Sequence, residues 1–352
     1  MEEERQTNKD EPGVGRRMLV GIKWGMGIFV ALPFIIILTP MWYIHRWDKK
    51  RRGQEVPEPP WAVLFDKDAG KPKPPPRRRV RRPYSEDDYI ASKQESIDRA
   101  NRIAVEELAK QSYGRVAIVT GGGHRIGAAI AIDLAKMGYV VAVAYYQSAK
   151  EAEQVVTTIK EMGGKSDAFA MDLRDPESIT SLLNNVSATL GPVDLLINNA
   201  SLFLPTPVKE GRWDVIEDLL QVNLQGPILL AMEAIAIMEE RGGHIINMCD
   251  IWAEKPLRGH AAYSAAKAGL ISATQVLARE AAPIVRVNAL APGAILPPED
   301  KEGRAAFQKI LARTPLAGSA SPDAILQAIR YLLTAEYVTG EVLHIDGGRR
   351  LV

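Results

Sequence analysis

Residues 115–137 read RVAIVTGGGHRIGAAIAIDLAKM, and the reading of the whole chain turns on them. Val116–Thr120 is short, apolar and rich in β-branched side chains, as a buried strand should be. Three glycines end it, and from Ile126 to Met137 the apolar residues recur at helical spacing. The alternation then continues: YVVAVAY (139–145), a helix to Met162, DAFAMDL (167–173), a helix to Leu190, and VDLLINNA (193–200). Further strand patterns follow at HIINMC (244–249), IVRVNAL (284–290) and EVLHID (341–346). Continuous apolar strands separated by amphipathic helices predict an α/β domain, a doubly wound parallel sheet covered on both faces, over residues 114–352.

Upstream the chain changes character. The 352 residues carry a formal charge of +1, with 46% hydrophobic and 25% charged side chains, which excludes a disordered or collagen-like chain. That balance gives no global electrostatic case for nucleic acid. Cys249 is the single cysteine, so neither an intrachain disulfide nor a four-cysteine zinc site is available. Its place at a strand end points to packing, not redox chemistry. Residues 1–113 hold 22 Lys/Arg against 17 Asp/Glu, so the excess of positive charge lies there.

After a tail (1–23), Trp24–Ile44 reads WGMGIFVALPFIIILTPMWYI without a charge. At 1.5 Å per residue this spans about 30 Å, the thickness of a hydrocarbon core. Trp24, Trp42 and Tyr43 sit at its ends, where amphipathic rings favour the membrane interface. The run is long for a cleaved signal, and HRWDKKRRG follows it instead of a small-residue cleavage site. These features predict one transmembrane helix. Residues 45–82 hold thirteen Lys/Arg against five Asp/Glu, which predicts the C-terminal domain on the cytoplasmic side. Residues 45–83, with KPKPPPRRRVRRP, form a basic Pro-rich linker of extended polyproline type. Residues 84–113 read as a linking helix.

TGGGHRIG (Thr120–Gly127) stands where a dinucleotide pyrophosphate would meet a helix N-terminus, as in Rossmann-type sheets. YSAAK places Tyr263 and Lys267 four apart, on one helix face, where an ammonium would lower the phenol pKa. With NNAS (198–201), these motifs resemble the short-chain dehydrogenase/reductase family. That family's turn has the form TGxxxGxG, with Arg125 here in place of its second glycine. The resemblance implies a cofactor site at Gly121, His124, Arg125, Ile126, Gly127, Gln147, Ser148, Asp172, Leu173, Asn199, Ala200, Pro292, Gly293 and Ile295. No acid stands at 146–148 to meet the adenosine ribose, and His124 and Arg125 are near in the expected fold, so NADPH is favoured over NADH. Asn223 (VNLQGP) is implied to hold the lysine and a relay water.

Where most family members carry a serine, thirteen residues before Tyr263, this chain has Asp250. Asp250, Tyr263 and Lys267, the arginine in the turn and NNASLFLPTP (198–207) together resemble the pteridine reductases of the family. That subgroup implies a pterin-like small-molecule substrate stacked on Phe203, with Ser201 lining the site. Asp250, Tyr263, Lys267 and Asn223 would form the catalytic set, with no metal. One departure is Gln147, where some members have a basic residue. The expected activity is NADPH-dependent reduction of a pterin or dihydropteridine-like ring. The rivals are a carbonyl reductase of the 3-oxoacyl type and a non-catalytic accessory subunit of a membrane complex. The resemblance also implies a homo-oligomer, and PPEDKEG suits Leu296–Arg313 to a mobile substrate lid.

Overall fold

The computed structural model describes residues 112–297, 301–316 and 321–352 continuously, and six isolated positions between 91 and 110. Those six (Ala91, Gln94, Glu95, Asp98, Glu106 and Lys110) are helical. The predicted tail, span and basic linker (1–83) lie outside the described residues, as do most positions of the predicted linking helix.

Seven strands form one parallel sheet: β1 (Val116–Thr120), β2 (Val140–Tyr145), β3 (Ser166–Ala170), β4 (Val193–Asn198), β5 (Gly243–Met248), β6 (Val285–Pro292) and β7 (Val342–Ile345). Their spatial order is β3-β2-β1-β4-β5-β6-β7. The chain therefore runs outward from β1 to β3, then returns to the other side of β1 at β4. Crossovers between parallel strands need helices, and these cover both faces. On one face lie α1 (Arg125–Lys136), α2 (Ala149–Glu161) and α8 (Pro322–Thr334). On the other lie α3 (Pro176–Thr189), α5 (Gly226–Met238) and α6 (Ala261–Ala281). Strand side chains alternate between the two cores: Ala117 and Val119 join one, Val116 and Ile118 the other.

Local chemistry sets the ends of the elements. Gly138, at φ +83°, stops α1, with its amide on Ala135 O and the Tyr139 amide on Leu134 O. This is a Schellman ending, which needs a residue tolerant of positive φ. The strand expected over 167–173 ends at Ala170, and only the Met171 amide still reaches across, to Tyr145 O. The continuous apolar pattern hid that exit, because Met171 and Leu173 are buried outside the strand. The expected lid Leu296–Arg313 contains a helix, α7 (Lys301–Leu311), with Phe307 buried beneath it. The PPEDKEG stretch that leads into α7 concealed this, since its prolines, glycine and charges also suit a loop. α4 (Trp213–Leu220) runs through a wide π turn, Gln221–Gln225, into α5. Wide turns of this kind cluster at functional positions.

Helices α1 and α8 are joined by a buried ion pair. Arg330 Nε donates to Asp133 Oδ2 at 3.0 Å, and Nη2 donates to Oδ1. The Asp133 side chain is 5% exposed, so removing the guanidinium leaves a carboxylate with no compensating charge. Arg330→Ala should lower the unfolding free energy by about 3 kcal/mol. Replacing both residues with apolar side chains should recover most of that loss. Urea titrations of the two variants check this, and a double variant as unstable as the single one would contradict it.

Candidate active site

The reversal of strand order at β1/β4 opens a crevice beyond the C-terminal ends of those strands, where open α/β sheets bind ligands. Its volume is about 700 Å3. The glycine turn forms one wall. A Cβ at Gly127 would overlap the Gly121 carbonyl oxygen and lie 2.6 Å from Asn199 Nδ2, so only glycine fits there. Thr120 Oγ1 accepts from the Asn199 and Ala200 amides at 2.9 Å, and Asn199 Nδ2 donates to Thr120 O at 2.9 Å. The NNAS element is thereby bolted to the end of β1. Arg125, which replaces the family glycine, adopts φ +48°, a strained conformation for a residue with a Cβ. Its Nη2 donates to Leu296 O (3.3 Å) and Pro297 O (3.1 Å), tying the turn to the chain beyond β6.

The crevice gathers most of the residues predicted for the cofactor. Gly121, His124, Arg125, Ile126 and Gly127 line it from the turn, and Gln147 and Ser148 from the end of β2. Asp172 and Leu173 line it beyond β3, and Asn199, Ala200 and Ser201 beyond β4. Ser148 occupies the N-cap position of α2 but makes no side-chain capping bond there. Pro292 ends β6, Gly293 packs against Asp346, and Ile295 is buried in the core, so these three lie outside the crevice lining.

Sequence reasoning missed eight crevice residues, among them Arg174, Asp218 and Tyr146. Arg174 takes Asp172 in a two-pronged pair, Nε to Oδ1 at 2.9 Å and Nη2 to Oδ2 at 3.1 Å. Burial opposes ionisation of Asp172, but these bonds outweigh it and hold the carboxyl below its usual range. The same guanidinium reaches Asp218 at 3.4 Å and lies 4.5 Å from the centroid of the Tyr146 ring. An Asp-x-Arg spacing after a strand was the available signal.

Beside the crevice, Tyr263 Oη donates to Asp250 Oδ2 at 2.8 Å, and Lys267 Nζ donates to Met248 O at 2.8 Å. Lys267 Nζ stands 5.9 Å from the centre of the Tyr263 ring. The three predicted polar groups therefore meet, on the end of β5 and the first turns of α6. Asp250 Oδ1 also accepts from the Trp252 amide at 2.9 Å, which fixes the carboxylate. Burial raises the Asp250 pKa, with its own hydrogen bonds and Lys267 pulling the other way. Burial lowers the Lys267 pKa. The expectation that Lys267 brings Tyr263 towards neutrality is corrected here. Burial first, then the Asp250 charge, pushes the phenol above its ordinary range, because the nearest charged oxygen is 2.8 Å away and negative. Tyr263 is thus a neutral donor.

Asn223, fully buried in the π turn, also departs from expectation. Its Oδ1 accepts from Ser201 Oγ (2.7 Å) and the Leu202 amide (3.1 Å), and its Nδ2 donates to Leu202 O and Leu219 O. It braces the Ser201–Leu202 segment, not the lysine. Phe203 is 52% exposed, meets Tyr263 edge-on at 4.8 Å, and stacks on His260 at 4.6 Å and 15°. His260 was not anticipated. Cys249 is buried and its thiol is pushed up to about 12 by burial, as suits packing.

The family profile described as Enoyl-(Acyl carrier protein) reductase matches residues 122–350. The chain belongs to the short-chain dehydrogenase/reductase family. As a member of that family it is an oxidoreductase by descent. It is 35% identical over 240 residues to the 3-oxoacyl-(acyl-carrier-protein) reductase FabG of Staphylococcus aureus, covering 66% of this chain and 96% of the relative. It is 33% identical over 240 residues to a 3-oxoacyl-(acyl-carrier-protein) reductase of Synechocystis, with the same coverage. Among solved structures, FolM alternative dihydrofolate reductase 1 from Brucella canis, complexed with NADP, superposes with a TM-score of 0.64. That protein is 32% identical, and the match covers 68% of this chain and 94% of the other.

Because burial raises the folded-state pKa of Asp250, its contribution to stability is largest below the ordinary value of 3.8 and is lost as pH rises through the raised value. Asp250→Asn lacks this penalty. The variant should therefore gain stability relative to wild type as pH rises between about 4 and 8. Thermal unfolding of both proteins across that range measures the difference, and parallel curves would contradict it.

Proposed function

We propose that this chain is an NADPH-dependent reductase of a pterin or dihydropteridine-like heterocycle, anchored to a membrane by residues 24–44 with the reductase domain on the cytoplasmic side. The observation that carries the substrate class is the 2.8 Å bond from Tyr263 to the Asp250 carboxylate, with the Phe203 ring edge-on to the same phenol. The NADP-bound dihydrofolate reductase neighbour is consistent with it.

The chain's own residues fit the cofactor. The turn leaves no room for a Cβ at Gly127, so the backbone lies open to a pyrophosphate at the N-terminus of α1. Ser148, Gln147, His124 and Arg125 offer donors and no carboxylate beyond β2, which suits a phosphate on the adenosine ribose. Lys267 spends one proton on Met248 O and keeps two for ribose hydroxyls. When bound, NADPH supplies a hydride. Tyr263 Oη gives its proton to the substrate nitrogen, and the Asp250 carboxylate, whose pKa burial raises, takes up a proton from solvent and passes it to the phenolate along the same hydrogen bond. Asn223 fixes Ser201, which lines the crevice.

A carbonyl reductase of the 3-oxoacyl type is the second reading, favoured by the identity to FabG. It uses the same Tyr263 and Lys267 but has no need of a carboxylate at 250. An accessory, non-catalytic subunit of a membrane complex is the third reading, and homo-oligomers are common in the family. A panel of dihydropteridines and 3-oxoacyl thioesters, read by NADPH consumption, separates them. Tyr263→Phe should lower turnover by about 10²–10⁴-fold while cofactor still binds. Asp250→Ser should lose pterin reduction and keep or gain carbonyl reduction; unchanged pterin reduction would rule out the assigned role. NADPH that binds and that no compound oxidises would favour the accessory subunit.

The anchor has its own test. The full chain should resist carbonate extraction from membranes, and a chain lacking residues 1–83 should be released. Equal release would remove the anchor from the proposal.

A further inference from the structure

A second cavity, of about 750 Å3, opens at the opposite edge of the sheet, where the strands begin. We propose that it is a second ligand site, which takes a phosphate-bearing small molecule or headgroup. It owes nothing to the catalytic reading, since it shares no lining residue with the crevice.

Three guanidiniums converge on it: Arg115 at the start of β1, Arg241 before β5 and Arg286 on β6. Arg286 is half-buried, and all its hydrogen-bond partners are neutral. Nη2 donates to Leu332 O at 2.9 Å and lies 2.9 Å from His244 Nδ1, and Nη1 donates to Val338 O at 3.0 Å. His244 cannot act as a counter-ion. It is 5% exposed, with Arg286 Nη2 2.9 Å from Nδ1 and Asn288 Nδ2 3.1 Å from Nε2, and a neutral ring accepts from only one of them. Burial and the adjacent guanidinium keep this imidazole neutral, with its pKa well below the usual range. Among the described residues, no carboxylate lies within ion-pair distance of Arg286 or Arg115.

Two acids share the lining with three guanidiniums, so a net positive charge remains, although Asp194 pairs with Arg241 and Glu336 attracts Arg286 from a distance. Asp194 has one oxygen committed to the Val116 amide at 2.8 Å, and its other oxygen is 3.9 Å from Arg241. Glu336 is exposed to solvent, beyond ion-pair distance of Arg286. A half-buried guanidinium without an anionic partner is costly, and the forked geometry of arginine matches phosphate oxygens two at a time. The volume exceeds what inorganic phosphate fills and lies in the range of small-molecule sites. Tyr139, Leu195 and Leu333 provide apolar wall for the remainder of a ligand.

The test uses the full chain in phosphatidylcholine vesicles, with 32P-labelled inorganic phosphate in equilibrium dialysis as the probe. Arg115→Gln with Arg241→Gln leaves the Arg286 backbone contacts intact, so the fold is retained, which near-UV circular dichroism verifies. Wild type should bind one phosphate per chain more than the double variant, with affinity falling at least tenfold in the variant. The 15N resonances of His244 should move during the titration in wild type only, which places the phosphate at this edge and not in the glycine turn. Equal binding by both proteins, or a stationary His244 signal, would overturn the proposal. Adding phosphatidic acid to the vesicles identifies the source. Displacement of labelled phosphate assigns the site to a lipid headgroup, and undiminished binding assigns it to a soluble phosphorylated ligand.

Discussion

The contact on which this architecture depends is the close approach of two backbones at the end of β1. Gly127 packs against the Gly121 carbonyl with no space for a methyl group, and Asn199 Nδ2 donates to the Thr120 and Gly121 carbonyls. This draws the start of α1 down onto the sheet and holds the segment after β4 beside it. The crevice, the exposed helix N-terminus and the placing of Ser201 next to Tyr263 all follow from that single steric constraint. The strained φ of Arg125 belongs to the same place, where a side chain stands at a position better suited to glycine. Its hydrogen bonds to the carbonyls at 296 and 297 offset part of that strain.

Asp250, Lys267 and Tyr263 are a study in buried charge. A carboxylate, an ammonium and a phenol share one enclosed space, and burial moves each towards its neutral form. The phenol sits against a carboxylate and not against the lysine, so it is a protonated donor in the absence of ligand. Serine at position 250 would place a neutral hydroxyl against the phenol and remove the charge that raises its pKa. The single exchange of serine for aspartate thus changes the sign of the electrostatics at the proton donor.

The sequence made much of this legible because the parallel sheet writes itself as unbroken apolar runs, and because the glycine turn and YSAAK fall at fixed places relative to those runs. Tyr263 and Lys267 were readable from spacing, on adjacent turns of one helix, and the family resemblance added Asp250 at the strand end. What escaped was set by contacts between distant segments. Arg174 gains its meaning only from Asp172, Asp218 and Tyr146 together, and His260 from the return of the 201–207 loop, whose Thr206 amide bonds to Gly259 O. The Asn223 role was misread because its partners, Leu202 and Leu219, are fixed by the wide turn and not by any motif. Helix α7 was concealed by the PPEDKEG stretch at its start, which also suits a loop.

The wide turn at Gln221–Gln225 has a structural consequence of its own. Trp213–Met238 is a continuous rod of 26 residues whose two halves face different partners. Val215 and Leu219 pack by Tyr263, while Leu230, Ala234 and Met238 press on the sheet. One surplus residue in the helical path shifts the phase of everything beyond it by about 100°. Trimming that residue would restore a regular spiral and turn one of the two halves away from its neighbour, so the irregularity is what lets a single rod serve both the sheet and the chemistry.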